Sequence, residues 1–114
     1  MSSSTADIYN PKVIRSTMGS IYRVPFTIVA DLPKAVDMLR EDGITCFAAH
    51  LKGELYNSGT LTKDCALLIG NEANGLSDEV ANKADKLIKI PMAGKVESLN
   101  AAIATSILMY EATR

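Results

Sequence analysis

The segment Gly70-Asn71-Glu72-Ala73-Asn74-Gly75-Leu76 sets two glycines around three polar side chains, directly after the apolar run Cys65-Ala66-Leu67-Leu68-Ile69. Glycines there let backbone approach a ligand closely, and Asn71, Glu72 and Asn74 supply directional donors and acceptors. Open α/β sheets bind small molecules at this kind of strand-end loop. The same residues also suit a tight turn into a following helix, and spacing alone leaves both readings open.

A second segment of the same type is Ile90-Pro91-Met92-Ala93-Gly94-Lys95-Val96-Glu97-Ser98-Leu99-Asn100, again running from a strand end towards a helix start. Ser98 reads as an N-cap, with the helix beginning at Leu99. Asn100 then falls inside the first turn of an apolar helix, where a buried amide needs partners from a neighbouring loop or a ligand. Lys95 and Glu97 read as solvated.

Other chemistries find little support. His50 is the single histidine, and the pattern holds no Ser/His/Asp set, no Walker loop and no GxGxxG. Cys46 and Cys65 have no CxxC spacing and no companion histidine, so no metal site is expected. No signal-peptide core and no apolar run near membrane-spanning length occurs, so no membrane partner is expected and a cytoplasmic location with reduced thiols is.

These loops must be carried by alternating strands and helices. Asn10-Pro11 reads as a cap and first helical position, opening a helix with Val13, Ile14, Thr17, Met18 and Ile21 on one face. Pro25 to Ala30 is a β-prone run ended by Asp31 as an N-cap. Leu32, Ala35, Val36 and Leu39 then mark an amphipathic helix closed by Gly43. Ile44 to Leu51 is the next strand, followed by a polar connection from Lys52 to Asp64.

The apolar run from Cys65 reads as a central parallel strand covered on both faces. Ser77 caps a short helix with Asp78 and Glu79 in its first turn, and Lys86 to Pro91 gives one more strand. The closing helix, from Leu99 to about Thr113, is apolar almost all round through Leu99, Ala101, Ala102, Ile103, Ala104, Ile107, Leu108, Met109 and Tyr110. Such a helix is buried on several sides, within one fold or between subunits. The class is α/β with a mostly parallel sheet flanked by helices.

Composition bounds the partners. The chain has 114 residues, 47% of them apolar, and a net charge of −1, which suits one domain and gives no global footprint for nucleic acid. Any RNA binding must therefore come from a local patch or another domain. Residues 1 to 23 are locally basic, with Lys12, Arg15 and Arg23 against Asp7.

Ile8-Tyr9-Asn10-Pro11-Lys12-Val13-Ile14-Arg15-Ser16-Thr17-Met18-Gly19-Ser20-Ile21-Tyr22-Arg23-Val24-Pro25, then Leu67 to Ser77, then Ile90-Pro91-Met92 and Glu97-Ser98-Leu99-Asn100-Ala101-Ala102, together resemble the SpoU (TrmH-like) RNA methyltransferases of the SPOUT superfamily in order and spacing. The resemblance runs from about Thr5 to Arg114, and the last two segments look like that family's second and third signature motifs.

The resemblance implies an α/β-knot fold with a C-terminal trefoil knot, a homodimer, and S-adenosyl-L-methionine held among the knot loops. It implies methyl transfer to a ribose 2'-hydroxyl of tRNA or rRNA. Carried over by position, Gly70, Asn71, Gly75, Ile90, Met92 and Leu99 are the expected cofactor-binding residues. Glu72, Ser98 and Asn100 are the expected catalytic residues.

The family's first motif, an Asn-containing segment and an arginine that helps activate the ribose hydroxyl, would lie upstream of Asp7. The resemblance thus implies an N-terminally truncated chain, in which residues 1–6 are a solvated tail or a junction and residues 7–114 are the C-terminal part of the methyltransferase domain. Two other readings stand beside it: a non-catalytic module that holds S-adenosylmethionine or dimerises, and an unrelated α/β domain binding a nucleotide through the Gly70 to Gly75 loop.

Overall fold

A computed structural model describes residues 1, 2, 5, 9–12, 23–57, 59, 61–70, 75–91 and 100–113. The chain divides into two compact units, Met1–Leu32 and Pro33–Arg114.

In the first unit Asn10 caps a helical start at Pro11, its Oδ1 accepting the N–H of Lys12 at 2.9 Å. The apolar face expected from Val13 to Ile21 lies outside the described residues. Pro25 to Ala30, expected as a strand, is reduced to a single parallel bridge between Val29 and Ser2. Its partner is the chain's own start: the Met1 ammonium donates to the Thr27 carbonyl at 2.8 Å, and the Val29 N–H donates to the Met1 carbonyl at 2.8 Å. One short partner segment supplies one rung, so no longer ladder forms. The Tyr9 and Phe26 rings meet edge to face, 6.5 Å between centroids.

The second unit alternates helix and strand. Helix α1, Leu32–Glu41, begins directly after Asp31 and buries Val36. It ends as the glycine predicted: Gly43 takes φ +82°, its N–H donates to Arg40 O, and the Ile44 N–H reaches back to Leu39 O, both at 3.0 Å. This pair of bonds satisfies the last free carbonyls of the helix, and glycine adopts the left-handed turn without a Cβ penalty.

Strand β1 spans Thr45–Leu55, β2 spans Cys65–Leu68 and β3 spans Lys86–Lys89; all run parallel, in the order β2-β1-β3. Two expectations change. The run from Cys65, expected as the central strand, lies at the edge of this three-stranded sheet with its residues half-buried, while β1 is in the middle. And β1 extends four residues into the expected polar connection. Its pairing with β3 slips on the way, Ala49 and Glu54 both aligning with Ile88. Gly53 permits the return, since a Cβ there would stand 2.5 Å from the Ile88 nitrogen.

Helix α2, Asp78–Lys83, is capped by Ser77, whose Oγ accepts the Val80 N–H at 3.3 Å. Helix α3, Ala101–Thr113, starts two residues later than expected. Its cap is Asn100 rather than Ser98: Asn100 Oδ1 accepts the Ala102 N–H and its carbonyl accepts the Ala104 N–H, each at 2.9 Å. Asn100 is therefore an exposed cap, not a buried amide within the first turn. Serine and asparagine cap about equally well, so local preference does not choose between the two positions.

One core cluster joins Phe47 of β1, Ile88 of β3 and Leu108 of α3, each at most 1% exposed. Ala49, Leu67, Ile69 and Ile90 pack against it, half-buried.

Candidate functional site

Because the three strands are parallel, the segments that follow β2 and β3 leave from the same edge of the sheet. Those are the two segments that sequence singled out. Ile69 and Ile90, the residues at which they depart, pack on the same Phe47–Ile88–Leu108 cluster. Two loops separated by twenty positions in sequence are thus rooted on one apolar floor, with β1 between them.

The first loop is closed tightly at its base. A Cβ on Gly70 would run into the Gly75 carbonyl carbon and the Leu76 nitrogen, so the backbones at the two ends of the loop touch. Gly75 has φ +67° and open space where a Cβ would stand. The first glycine is therefore required by close backbone approach, and the second by its left-handed conformation beside an unfilled space. A tight turn and a ligand-facing loop are here the same object.

Gly70, Gly75, Ile90 and Asn100 are placed by the structure; Asn71, Glu72, Met92, Ser98 and Leu99 lie outside the described residues. Gly70 and Ile90 stand at the C-terminal edge, half-buried. Asn100 uses its Oδ1 as the α3 cap, which leaves the amide nitrogen as the side-chain group able to donate to a ligand. The same edge carries Ala49 and His50 of β1, which sequence did not assign to the site. Only the strand register reveals them.

The opposite edge is held by ionic and thiol-bearing groups. Asp85 accepts from Arg40 Nε at 3.0 Å, and Lys83 Nζ lies 2.8 Å from Asp37. The hydrogen bond to Asp37, with that carboxylate's charge, raises the Lys83 pKa above the ordinary ammonium value. Burial, followed by the Asp85 charge, pushes the Cys46 thiol up; burial, followed by Asp64, does so for Cys65. Raised thiols are poor nucleophiles, so these cysteines are packing groups. Among the described residues no cluster of three or more His, Cys, Asp or Glu side chains is arranged to hold a metal ion, and no helix is long and apolar enough to cross a membrane.

Residues 1–110 match the SpoU rRNA Methylase family. The chain is 36% identical over 107 residues to the 23S rRNA (guanosine(2553)-2'-O)-methyltransferase RlmP of Bacillus subtilis, an alignment covering 93% of this chain and 43% of RlmP. It superposes on the SpoU methyltransferase AviRb from Streptomyces viridochromogenes, solved in complex with the cofactor AdoMet, with a TM-score of 0.88 at 33% identity, over 100% of this chain and 47% of AviRb. An AdoMet-bound rRNA methyltransferase from Sinorhizobium meliloti gives a TM-score of 0.87 at 37% identity, over 99% of this chain and 44% of that one. The chain spans somewhat under half the length of these relatives.

Proposed function

The chain belongs to the SpoU rRNA methylase family, and from that premise we propose that it forms the methyl-donor-binding part of an S-adenosylmethionine-dependent RNA 2'-O-methyltransferase acting on tRNA or rRNA. The observation that carries the reading is the shared root of the two motif loops: Ile69 and Ile90 pack on one cluster at the C-terminal edge of a parallel sheet. That the relatives AviRb and the S. meliloti enzyme were solved with AdoMet supports the choice of cofactor. The trefoil knot of the family is part of the same proposal, supported by superposition over nearly the whole chain.

The residues present fit such a group. Adenine is recognised well by backbone donors and acceptors over an apolar floor, and the edge offers both: half-buried Ile69 and Ile90, and a glycine with open space beside it at position 75. Gly70, Asn71, Gly75, Ile90, Met92 and Leu99 would hold the cofactor. S-adenosylmethionine supplies an electrophilic methyl group on a sulfonium centre. A ribose hydroxyl is a poor nucleophile at neutral pH, so the protein's part is to fix it in line and hold its proton. Glu72, Ser98 and Asn100 are assigned that role, Asn100 through its amide nitrogen.

A homodimer is the second part of the proposal. On α3, Ile103, Met109 and Tyr110 are 53%, 57% and 70% exposed, lying along one side while Leu108 faces the core. A contiguous apolar helix face in water favours association. The test of the cofactor reading is calorimetric titration of the folded chain with S-adenosylhomocysteine. Saturable heat is expected; none at millimolar ligand, from a sample with a cooperative melt, overturns it.

A further inference from the structure

β1 contributes to the candidate site as well as the two loops, and it does so with a titratable side chain. The β1–β2 register aligns Thr45 with Cys65 and Ala48 with Leu68. Continued two residues, it sets His50 opposite Gly70. On the other side Ala49 aligns with Ile88, so His50 comes level with Lys89, the residue before Ile90. His50 is thus flanked by the starting points of both motif loops.

It is also where β1 leaves regular pairing with β3, the excursion that returns at Glu54. A strand that breaks its ladder at a sheet edge re-aims the side chains there. The imidazole is half-buried, and its Nδ1 accepts the backbone N–H of Lys52 at 3.1 Å. An Nδ1 engaged as acceptor puts the proton of a neutral ring on Nε2, which makes Nε2–H a donor with its orientation set by the strand.

We infer that His50 is a binding residue for the methyl donor, its Nε2–H donating a hydrogen bond to an oxygen of that ligand, either a ribose hydroxyl or the amino-acid carboxylate. The inference rests on the cofactor site proposed above. It adds a third element, β1, to the two loops, and a side-chain contact to a pocket otherwise assigned mainly backbone contacts.

The test uses the fact that His50 is the only histidine, so its ring signals need no assignment by elimination. Long-range ¹H–¹⁵N spectra of the free protein should show the Nε2–H form, and titration with S-adenosylhomocysteine should move the His50 Nε2 and ring proton signals together with the Gly70 amide. Methylthioadenosine, which keeps the ribose and lacks the carboxylate, separates the acceptors: a retained His50 shift assigns the ribose, a lost one the carboxylate. His50→Ala should weaken S-adenosylhomocysteine about three- to tenfold, and His50→Gln, which keeps a donor near the Nε2 position, should recover much of the loss. A Gly70 amide that moves while His50 stays fixed overturns the inference and leaves the cofactor site standing. If neither moves, the site itself is wrong and the inference falls with it.

Discussion

Asp85 and Cys46 are joined by two hydrogen bonds: the Cys46 N–H donates to Asp85 Oδ2 and the Asp85 N–H donates to the Cys46 carbonyl, each at 2.8 Å. The carboxylate thereby extends strand pairing one step before β3 begins, and its other oxygen takes the Arg40 guanidinium at 3.0 Å. Cys46 is fully buried, so its N–H has no recourse to water if the carboxylate is removed.

Asp85→Ala is accordingly expected to cost about 1–3 kcal/mol, the range for stranding a buried donor. Asp85→Asn keeps an acceptor for Cys46 and loses the ion pair, whose partners are 44% and 30% exposed, so it should cost under about 1 kcal/mol. Urea unfolding of the two variants measures the difference. Because this contact lies at the edge away from the motif loops, S-adenosylhomocysteine affinity of the folded protein should be unchanged in both. Equal losses of stability would mean that the ion pair, rather than the Cys46 N–H, is what Asp85 contributes.

Gly70 and Gly75 should respond differently to substitution. Alanine at 70 drives its Cβ into the Gly75–Leu76 peptide, backbone that has no rotamer to yield, and overpacking of this kind costs about 1–3 kcal/mol. Asparagine at 75 meets open space and tolerates the φ of +67° better than any other side chain with a Cβ, so Gly75→Asn should fold nearly as well as the parent. Calorimetry with S-adenosylhomocysteine should show binding largely abolished in Gly70→Ala and weakened less in Gly75→Asn. The reverse order would show that loop closure at Gly70 is not what shapes the site.

Local chemistry was legible where one or two neighbouring residues decide the outcome. Ser77 with Asp78 and Glu79 announced the start of α2, and Gly43 announced the end of α1. What sequence missed is decided by contacts across the fold. Lys52, Gly53 and Glu54 read as a polar connection because nothing in their order reveals that Gly53 folds against the Ile88 backbone. The run from Cys65 carries the composition of a central strand, yet its neighbours are set by which segments pair with it. Both motif loops were found by residue type, but their common floor, and the place of His50 between them, depend on a register that no periodicity encodes.

The thiols give a pH dependence with a definite sign. Both cysteines are raised from an ordinary value of 9.0, chiefly by burial. Below that value the thiols are neutral in the folded and unfolded chain alike and contribute no slope. Above it the unfolded chain ionises first, so stability should fall as pH rises, and the loss is complete once the folded values are passed. Thermal midpoints between about pH 8 and pH 10 should decline, and Cys46→Ala should flatten that decline relative to the parent. An identical slope in the variant would assign the effect to other groups.

The exposed side of α3 should mediate self-association. Light scattering at tens of micromolar is expected to give twice the chain mass for the parent. Ile103→Asp combined with Tyr110→Asp should give the mass of one chain with helix content preserved, since both side chains are largely in water in the single chain. A monomeric parent would remove the dimer from the proposal without touching the cofactor site.

Binding and catalysis are expected to come apart in these 114 residues. The chain covers 43% of RlmP and 47% of AviRb, and the arginine that the family resemblance assigns to hydroxyl activation has no counterpart upstream of Asp7. The cofactor edge depends on Ile69, Gly70, Gly75 and Ile90, all of them within the chain, whereas proton removal from the ribose calls on a group outside it. Loss of such assistance costs roughly 10²- to 10⁴-fold in rate, and loss of substrate positioning adds to that. With labelled S-adenosylmethionine and rRNA or bulk tRNA, this chain should therefore transfer methyl at least about a hundredfold more slowly than full-length RlmP while still binding S-adenosylhomocysteine. Transfer at the rate of the longer enzyme would show that Glu72, Ser98 and Asn100 suffice to activate the hydroxyl, and that the upstream arginine is dispensable.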